Sequence, residues 1–176
     1  LCQDGTRGRC LTVLGMDGGR MRGKILIVED YADWRELLSG LLQREGHEVH
    51  AVATLQDARD YVDEVPDLDL AVLDIRLIET NETNQDGMRL LAEIRERKNF
   101  TRVIMITGHG TMETQRRAFR DFHAFDFFRK EQFDSEEFRQ AVREAVDEAA
   151  REQRAQKESD YMRGHHYEEW QRKTGH

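Results

Sequence analysis

Five side chains whose types can do chemistry together lie far apart along this sequence. Glu29 and Asp30 close the stretch "KILIVED" (24–30), Asp74 closes "LDLAVLD" (68–74), Thr107 stands near the end of "RVIMITG" (102–108), and Lys130 closes "AFDFFRK" (124–130). Three carboxylates gathered at one place cannot all stay ionised without a counter-charge. Oxygen ligands of this kind suit Mg²⁺, which takes one or two carboxylates together with waters and a phosphate oxygen. A lysine supplies a point charge for a phosphoryl group, and a threonine supplies a hydroxyl donor. A carboxylate can itself be the nucleophile, giving an aspartyl-phosphate, while metal and lysine neutralise charge on the transferring oxygens. Taken singly, each residue has an ordinary reading: an acid in a loop, a helix cap, a surface lysine. Their joint placement is what points to a site.

That placement follows from the elements around them. "KILIV" is a short apolar run, as in a strand buried on both faces. Trp34, Leu37, Leu38, Leu41 and Leu42 follow at i, i+3, i+4, i+7 and i+8, an amphipathic helix that Gly46 would stop. "HEVHAVA" is a second strand. Thr54 with Asp57 opens a second helix, and Pro66, the single proline, marks a turn. "LDLAVLD" is the third strand. A helix with Met88, Leu91 and Ile94 on one face follows, then the strand "RVIMITG", the helix "TMETQRRAFRDF" and a fifth strand ending at Lys130. Asp134 and Glu137 form a capping box for a last helix with the stripe Phe138, Val142, Ala145, Ala149. The alternation predicts an α/β fold, a doubly wound five-stranded parallel sheet with helices on both faces. Ligands in such sheets bind outside the carboxyl ends of the strands, and those ends carry Glu29, Asp30, Asp74, Thr107 and Lys130.

Composition sets further bounds. The 176 residues are 38% hydrophobic and 35% charged, with a formal net charge of -8, which argues against a broad nucleic-acid surface. No run approaches the ~18 apolar residues of a membrane span, and no signal peptide is evident, so a cytoplasmic protein is expected. Residues 1–21 read as a disordered leader. Met16 and Met21 each offer a natural start, so part of it need not be native. Cys2 and Cys10 lie there and look incidental. No G-x-G-x-x-G follows the first strand, and acids stand where a pyrophosphate would lie, which excludes a dinucleotide site.

The motifs "ILIVED", "AVLDIRL", "VIMITG" and "FDFFRK", in this order and spacing, resemble the receiver domain of two-component response regulators over about residues 22–147. The resemblance implies the flavodoxin-like (βα)5 fold, of the stand-alone type found in chemotaxis regulators. It implies that Asp74 is the phospho-acceptor, that Glu29 and Asp30 bind Mg²⁺ with Asp74 and the backbone carbonyl of Arg76, and that Thr107 and Lys130 contact the phosphoryl group. Phe127 matches an aromatic switch position that works with Thr107. Arg76 and His109 match positions that tune loss of the phosphoryl group. A histidine kinase or a histidine phosphotransfer protein would be the donor, and an unknown downstream protein would be contacted. The resemblance leaves room for a homodimer through the fourth helix, fifth strand and fifth helix, or through the C-terminal extension, and predicts neither nucleic acid nor membrane as partner.

Three departures stand out. Glu131 follows Lys130 where the family usually has proline with a cis bond before it. A cis bond here would cost about 3 kcal/mol, which favours trans. The loop after Asp74, "IRLIETNETNQDG", is long and polar. Phe127 has no hydroxyl, so a switch there works through ring burial. Residues 148–176 form a charged extension. It reads either as a frayed, solvated tail or as a continuation of the last helix toward Asp160 that stops near Gly164, with Tyr167 and Trp170 as aromatic anchors for a partner or a second copy. The expected function is a single-domain response regulator phosphorylated on Asp74 and signalling through protein contact, not an enzyme apart from intrinsic autodephosphorylation. The alternative is a scaffold or adaptor that keeps the fold without using phosphorylation.

Overall fold

The computed structural model describes residues 16–17, 20–77, 86–97, 100–108 and 111–174, with side chains for all of these except 16, 17, 20, 114 and 164–174. Its strands are β1 (Lys24–Val28), β2 (Glu48–Val52), β3 (Leu70–Asp74), β4 (Arg102–Thr107) and β5 (Asp126–Arg129). They pair in parallel in the order β2-β1-β3-β4-β5, which puts β3 at the centre. The helices are α1 (Ala32–Arg44), α2 (Leu55–Glu64), α3 (Asp86–Arg97), α4 (Met112–Arg120) and α5 (Ser135–Thr174). Strand and helix alternate along the chain as predicted.

Side-chain alternation on the strands builds one core on each face of the sheet. Leu26, Val28, Ala71, Leu73, Val103, Met105 and Phe127 pack toward buried residues of α2, α3 and α4. Ile25, Ile27, Leu70, Val72, Ile104 and Ile106 pack toward Leu38 and Leu42 of α1 and the α5 stripe of Phe138, Val142 and Ala145. Central strands buried on both faces are why these runs read as continuous apolar stretches. The edge strand β2 is largely exposed. Two caps match expectation: Thr54 Oγ1 accepts from the Asp57 N–H at 3.1 Å, and Asp134 Oδ1 accepts from the N–H groups of Glu136 (2.8 Å) and Glu137 (2.9 Å).

Four expectations need correction. The leader is not wholly without structure: Met16–Asp17 pairs antiparallel with Arg20–Met21, and Met21 packs on the α1/α5 core. Leu37 is 46% exposed, because the buried stripe of α1 is narrower than the sequence spacing suggested. The fifth strand ends at Arg129, and Lys130 instead opens a 3₁₀ turn, Lys130–Gln132. The last helix does not stop near Gly164 but runs on to Thr174. One glycine costs a helix about 1 kcal/mol, and tertiary anchors precede it. The side chain of Arg102, 8% exposed, lies 2.9 Å from Glu148 and 2.5 Å from Glu152. Gln153 Nε2 donates to Asp69 Oδ1 at 3.1 Å. Further out, Gln156 and Arg163 both donate to Asp160. The helix is therefore continuous across residue 147, the proposed domain limit. The side chains of Tyr167 and Trp170 lie outside the described residues. No helix among the described residues is long and apolar enough to cross a membrane.

Candidate functional site

The parallel topology delivers the predicted side chains to one edge of the sheet. β1 ends at Val28, so Glu29 and Asp30 emerge at the carboxyl end of a central strand. The Glu29 N–H donates to the carbonyl of Val52 at 3.1 Å, continuing the ladder one step past β1. Arg35 Nη1 donates to the carbonyls of Glu29 (2.9 Å) and Asp30 (3.1 Å), which pins the backbone turn into α1. Asp74 is the last residue of β3, the neighbouring strand, and its Oδ1 accepts from the Arg76 N–H at 3.2 Å. Register pairs Asp74 with Ile106, so Thr107, one residue on and 1% exposed, closes the adjoining strand. Phe127 lies opposite Met105 on β5 with its ring buried in the α2/α3/α4 core. His109 and the loop residues 78–85 lie outside the described residues, as do Cys2 and Cys10.

Carboxylate oxygens of Glu29, Asp30 and Asp74 come within 4.8 Å of one another. Lys130 bridges two of them. Its Nζ donates to Glu29 Oε1 at 2.8 Å and to Asp74 Oδ2 at 2.7 Å. Glu29 and Asp74 are buried, at 0% and 4% exposed, and Lys130 is half-buried with its side chain 10% exposed. Burial pushes the Glu29 carboxyl up to about 7; the nearby Asp74 charge adds to this and Lys130 opposes it. Burial raises Asp74 as well, against the pull of Lys130. Burial alone would lower Lys130, but Asp74 and Glu29 outweigh it and hold the ammonium above its ordinary value. The site is thus a charged cluster with one cation set against three acids.

The donor set fits a divalent cation. Asp30 Oδ1 and Glu29 Oε2 are buried and make no hydrogen bond, although Glu29 Oε2 lies 2.7 Å from Lys130 Nζ in ion-pair contact. Asp30 Oδ1 is thus a buried acceptor without a donor, which is costly, and hard oxygens from several carboxylates suit Mg²⁺.

The Glu29 shift carries a pH prediction. Between pH ~4.5 and ~7 the folded, metal-free protein holds a proton that the unfolded chain has released. Stability therefore falls as pH rises through that window, by on the order of 2 kcal/mol. Urea unfolding in EDTA at the two limits should show this loss, and Glu29→Gln should flatten it. A slope of the opposite sign, or an unchanged slope in Glu29→Gln, would contradict the assignment.

Gly87 is a site residue that residue chemistry did not single out. It lies in the first turn of α3, and its N–H donates to the carbonyl of Ile75 at 3.1 Å. A Cβ on Gly87 would lie 1.9 Å from the Asp74 carbonyl oxygen, which is backbone and cannot swing away. Glycine here lets α3 close directly onto the strand end that carries Asp74. Its only sequence signal is the "DG" that ends the long loop. Gly87→Ala should destabilise the fold by about 3 kcal/mol through overpacking, readable as a lowered urea midpoint. An unchanged midpoint would mean that this contact is absent in solution.

A family profile described as "Response regulator receiver domain" matches residues 25–143. The chain is 33% identical over 106 residues to the "Putative response regulator NtrX-like" protein of Rickettsia bellii, covering 60% of this chain and 21% of that protein. The first curated relatives are matched over only 21% to 42% of their own length. The crystal structure of the receiver domain of NtrX from Brucella abortus superimposes with a TM-score of 0.61 at 32% identity, over 70% of this chain and 98% of that one. The solution structure of the beryllofluoride-activated NtrC4 receiver domain dimer gives a TM-score of 0.63 at 28% identity, over 72% and 98%.

Proposed function

Because the chain belongs to the response regulator receiver domain family, we propose that it accepts a phosphoryl group on Asp74 from a histidine kinase or a histidine phosphotransfer protein. The observation that carries this reading is the convergence of Glu29, Asp30, Asp74 and Lys130 at the carboxyl edge of the central strands. One carboxylate oxygen of Asp74 attacks the phosphorus, the phosphorus–nitrogen bond to the donor histidine breaks, and its electron pair stays on the imidazole. The product is an acyl phosphate. Lys130 moves from Asp74 toward the phosphoryl oxygens and neutralises their charge, and the Thr107 hydroxyl donates to one of them. Glu29, Asp30, Asp74 and the Arg76 carbonyl would hold Mg²⁺. That ion supplies electrostatic stabilisation of the transferring oxygens.

Return to the resting state is by hydrolysis of the acyl phosphate, with Arg76 and His109 limiting access of water. A phospho-lifetime unchanged in Arg76→Ala and His109→Ala would remove them from that role. Output is by protein contact, in a cytoplasmic setting, through the surface of α4, β5 and α5. The dimer seen for the NtrC4 receiver makes a homodimer through that surface, or through the α5 extension, part of the same proposal. Sedimentation with and without beryllofluoride tests it.

Beryllofluoride, a phosphoryl mimic, provides the direct test of the site. It should bind only with Mg²⁺ present, and not at all to Asp74→Ala. Folded protein that ignores beryllofluoride would favour a scaffold that keeps the receiver fold without phosphorylation.

A further inference from the structure

Besides its carboxylate partners, Lys130 Nζ faces an aromatic ring. It sits 5.5 Å from the centroid of the Trp34 ring, within reach of the negative face of the indole. Trp34 stands in the first turn of α1, one helical turn past the acids, and packs partly buried against the α1/α5 core. The same ring meets Phe133 edge-on, with centroids 5.2 Å apart and planes at 89°. Phe133 is the residue at which the 3₁₀ turn Lys130–Gln132 ends, and it packs in turn on Phe138 of α5 at 5.3 Å. The turn contains no proline to restrict its backbone, since the single proline is Pro66. One indole therefore holds both ends of the segment that presents the ammonium: Nζ at its start and the Phe133 ring at its exit.

We infer that Trp34 is a positioning residue for Lys130, keeping the ammonium aimed at the phosphoryl group when its carboxylate partners are taken by the metal. In the metal-free state Nζ is held by Glu29 and Asp74 as well. Both of these are also candidate metal ligands. A cation bound between them competes with Lys130 for the same oxygens, and the ammonium is then left with fewer anchors at the moment it is needed. Among the described contacts of Nζ, the indole is the one that a metal does not contest. Its attraction for a cation grows when the pair is desolvated, and Lys130 is largely buried. Trp34 touches neither the acceptor nor the phosphoryl group in this account. It acts through Lys130.

The inference rests on the phosphoryl-acceptor reading, and the test separates the two. The full chain carrying Trp170→Phe, so that Trp34 is its single tryptophan, is labelled with acetyl phosphate at saturating Mg²⁺. If this protein takes no phosphoryl group, the functional reading fails first. If it does, Trp34→Leu should lower the initial rate by about tenfold while the dissociation constant for Mg²⁺ alone stays within about twofold. That split is expected because Lys130 neutralises phosphoryl charge and is not a metal ligand. Trp34→Phe keeps an aromatic face and should recover most of the rate. A wild-type rate in folded Trp34→Leu, or Mg²⁺ binding that weakens in parallel with the rate, would overturn the inference. Should Trp34→Leu fail to fold, the same single-tryptophan protein made with mono-, di- and trifluorinated tryptophan decides the matter. Fluorination drains the ring's negative face with little change of shape, so the rate should fall stepwise along the series, and a flat series would overturn the inference.

Discussion

Asp74→Asn should leave the protein folded and unable to take up a phosphoryl group. The amide has nearly the shape of the carboxylate, and its single oxygen can accept either from the Arg76 N–H, now met at 3.2 Å by Asp74 Oδ1, or from Lys130 Nζ, now met at 2.7 Å by Asp74 Oδ2. It is not a nucleophile toward phosphorus. Loss of a sole nucleophile is expected to reduce labelling by acetyl phosphate at least ~10³-fold, to background. The fold should not suffer. Asp74 is buried and its charge pushes the Glu29 carboxyl upward, so removing it relieves one repulsion between buried acids. Lys130 keeps its Glu29 partner. The midpoint of thermal unfolding in EDTA should be equal to or above wild type, and Mg²⁺ should raise it less, because a ligand has been lost. Residual labelling at a rate near wild type would move the acceptor to another residue.

Lys130→Met keeps most of the length of the side chain and removes its charge. Glu29 and Asp74 then face each other in a buried place with no cation between them. Breaking a buried ion pair by removing one partner costs about 3–5 kcal/mol. In EDTA the unfolding midpoint should fall accordingly, and Glu29 should hold its proton to higher pH. Mg²⁺ supplies the missing positive charge, so it should restore much of the lost stability and stabilise the variant more than it stabilises wild type. It should not restore the chemistry. Phosphoryl transfer at saturating Mg²⁺ should remain about 10²-fold slow, as when one charge-stabilising group is removed from a transition state. Recovery of both stability and rate by Mg²⁺ would show that Lys130 serves only to neutralise the acids.

The sequence carried much of this site because its chemistry lies at strand ends. Runs such as "KILIV" and "LAVLD" are short, apolar and bounded by acids, and parallel topology gathers such ends at one edge. Glu29, Asp30, Asp74 and Lys130 could therefore be brought together on paper from positions as far apart as 101 residues. The misses have a common physical cause. Gly87 matters through the room its missing side chain leaves for the Asp74 backbone. Trp34 matters through a ring face turned toward Lys130. Both are facts of packing, which residue type and periodicity do not encode. Leu37 fits the helical spacing, yet α1 buries only a narrow stripe. The helix that continues past Gly164 is of the same kind, because its anchors Arg102–Glu148, Arg102–Glu152 and Gln153–Asp69 join residues 46 to 84 positions apart. The slip at Lys130 is smaller but bears on function. Ending β5 at Arg129 places the lysine in a turn outside the sheet, and Phe133, where that turn ends, packs on Trp34.

The proposed chemistry requires Asp74 to accept a phosphoryl group with the help of a divalent cation held by its acidic neighbours. Incubation of the full chain with acetyl phosphate and Mg²⁺, followed by mass measurement of the intact protein and its peptides, tests it most directly. The expected result is a single phosphoryl adduct on the peptide containing Asp74, labile to hydroxylamine as an acyl phosphate must be, absent in EDTA and absent in Asp74→Asn. Folded wild-type protein that stays unmodified with Mg²⁺ present, or an adduct that persists in Asp74→Asn, would rule out Asp74 as the acceptor.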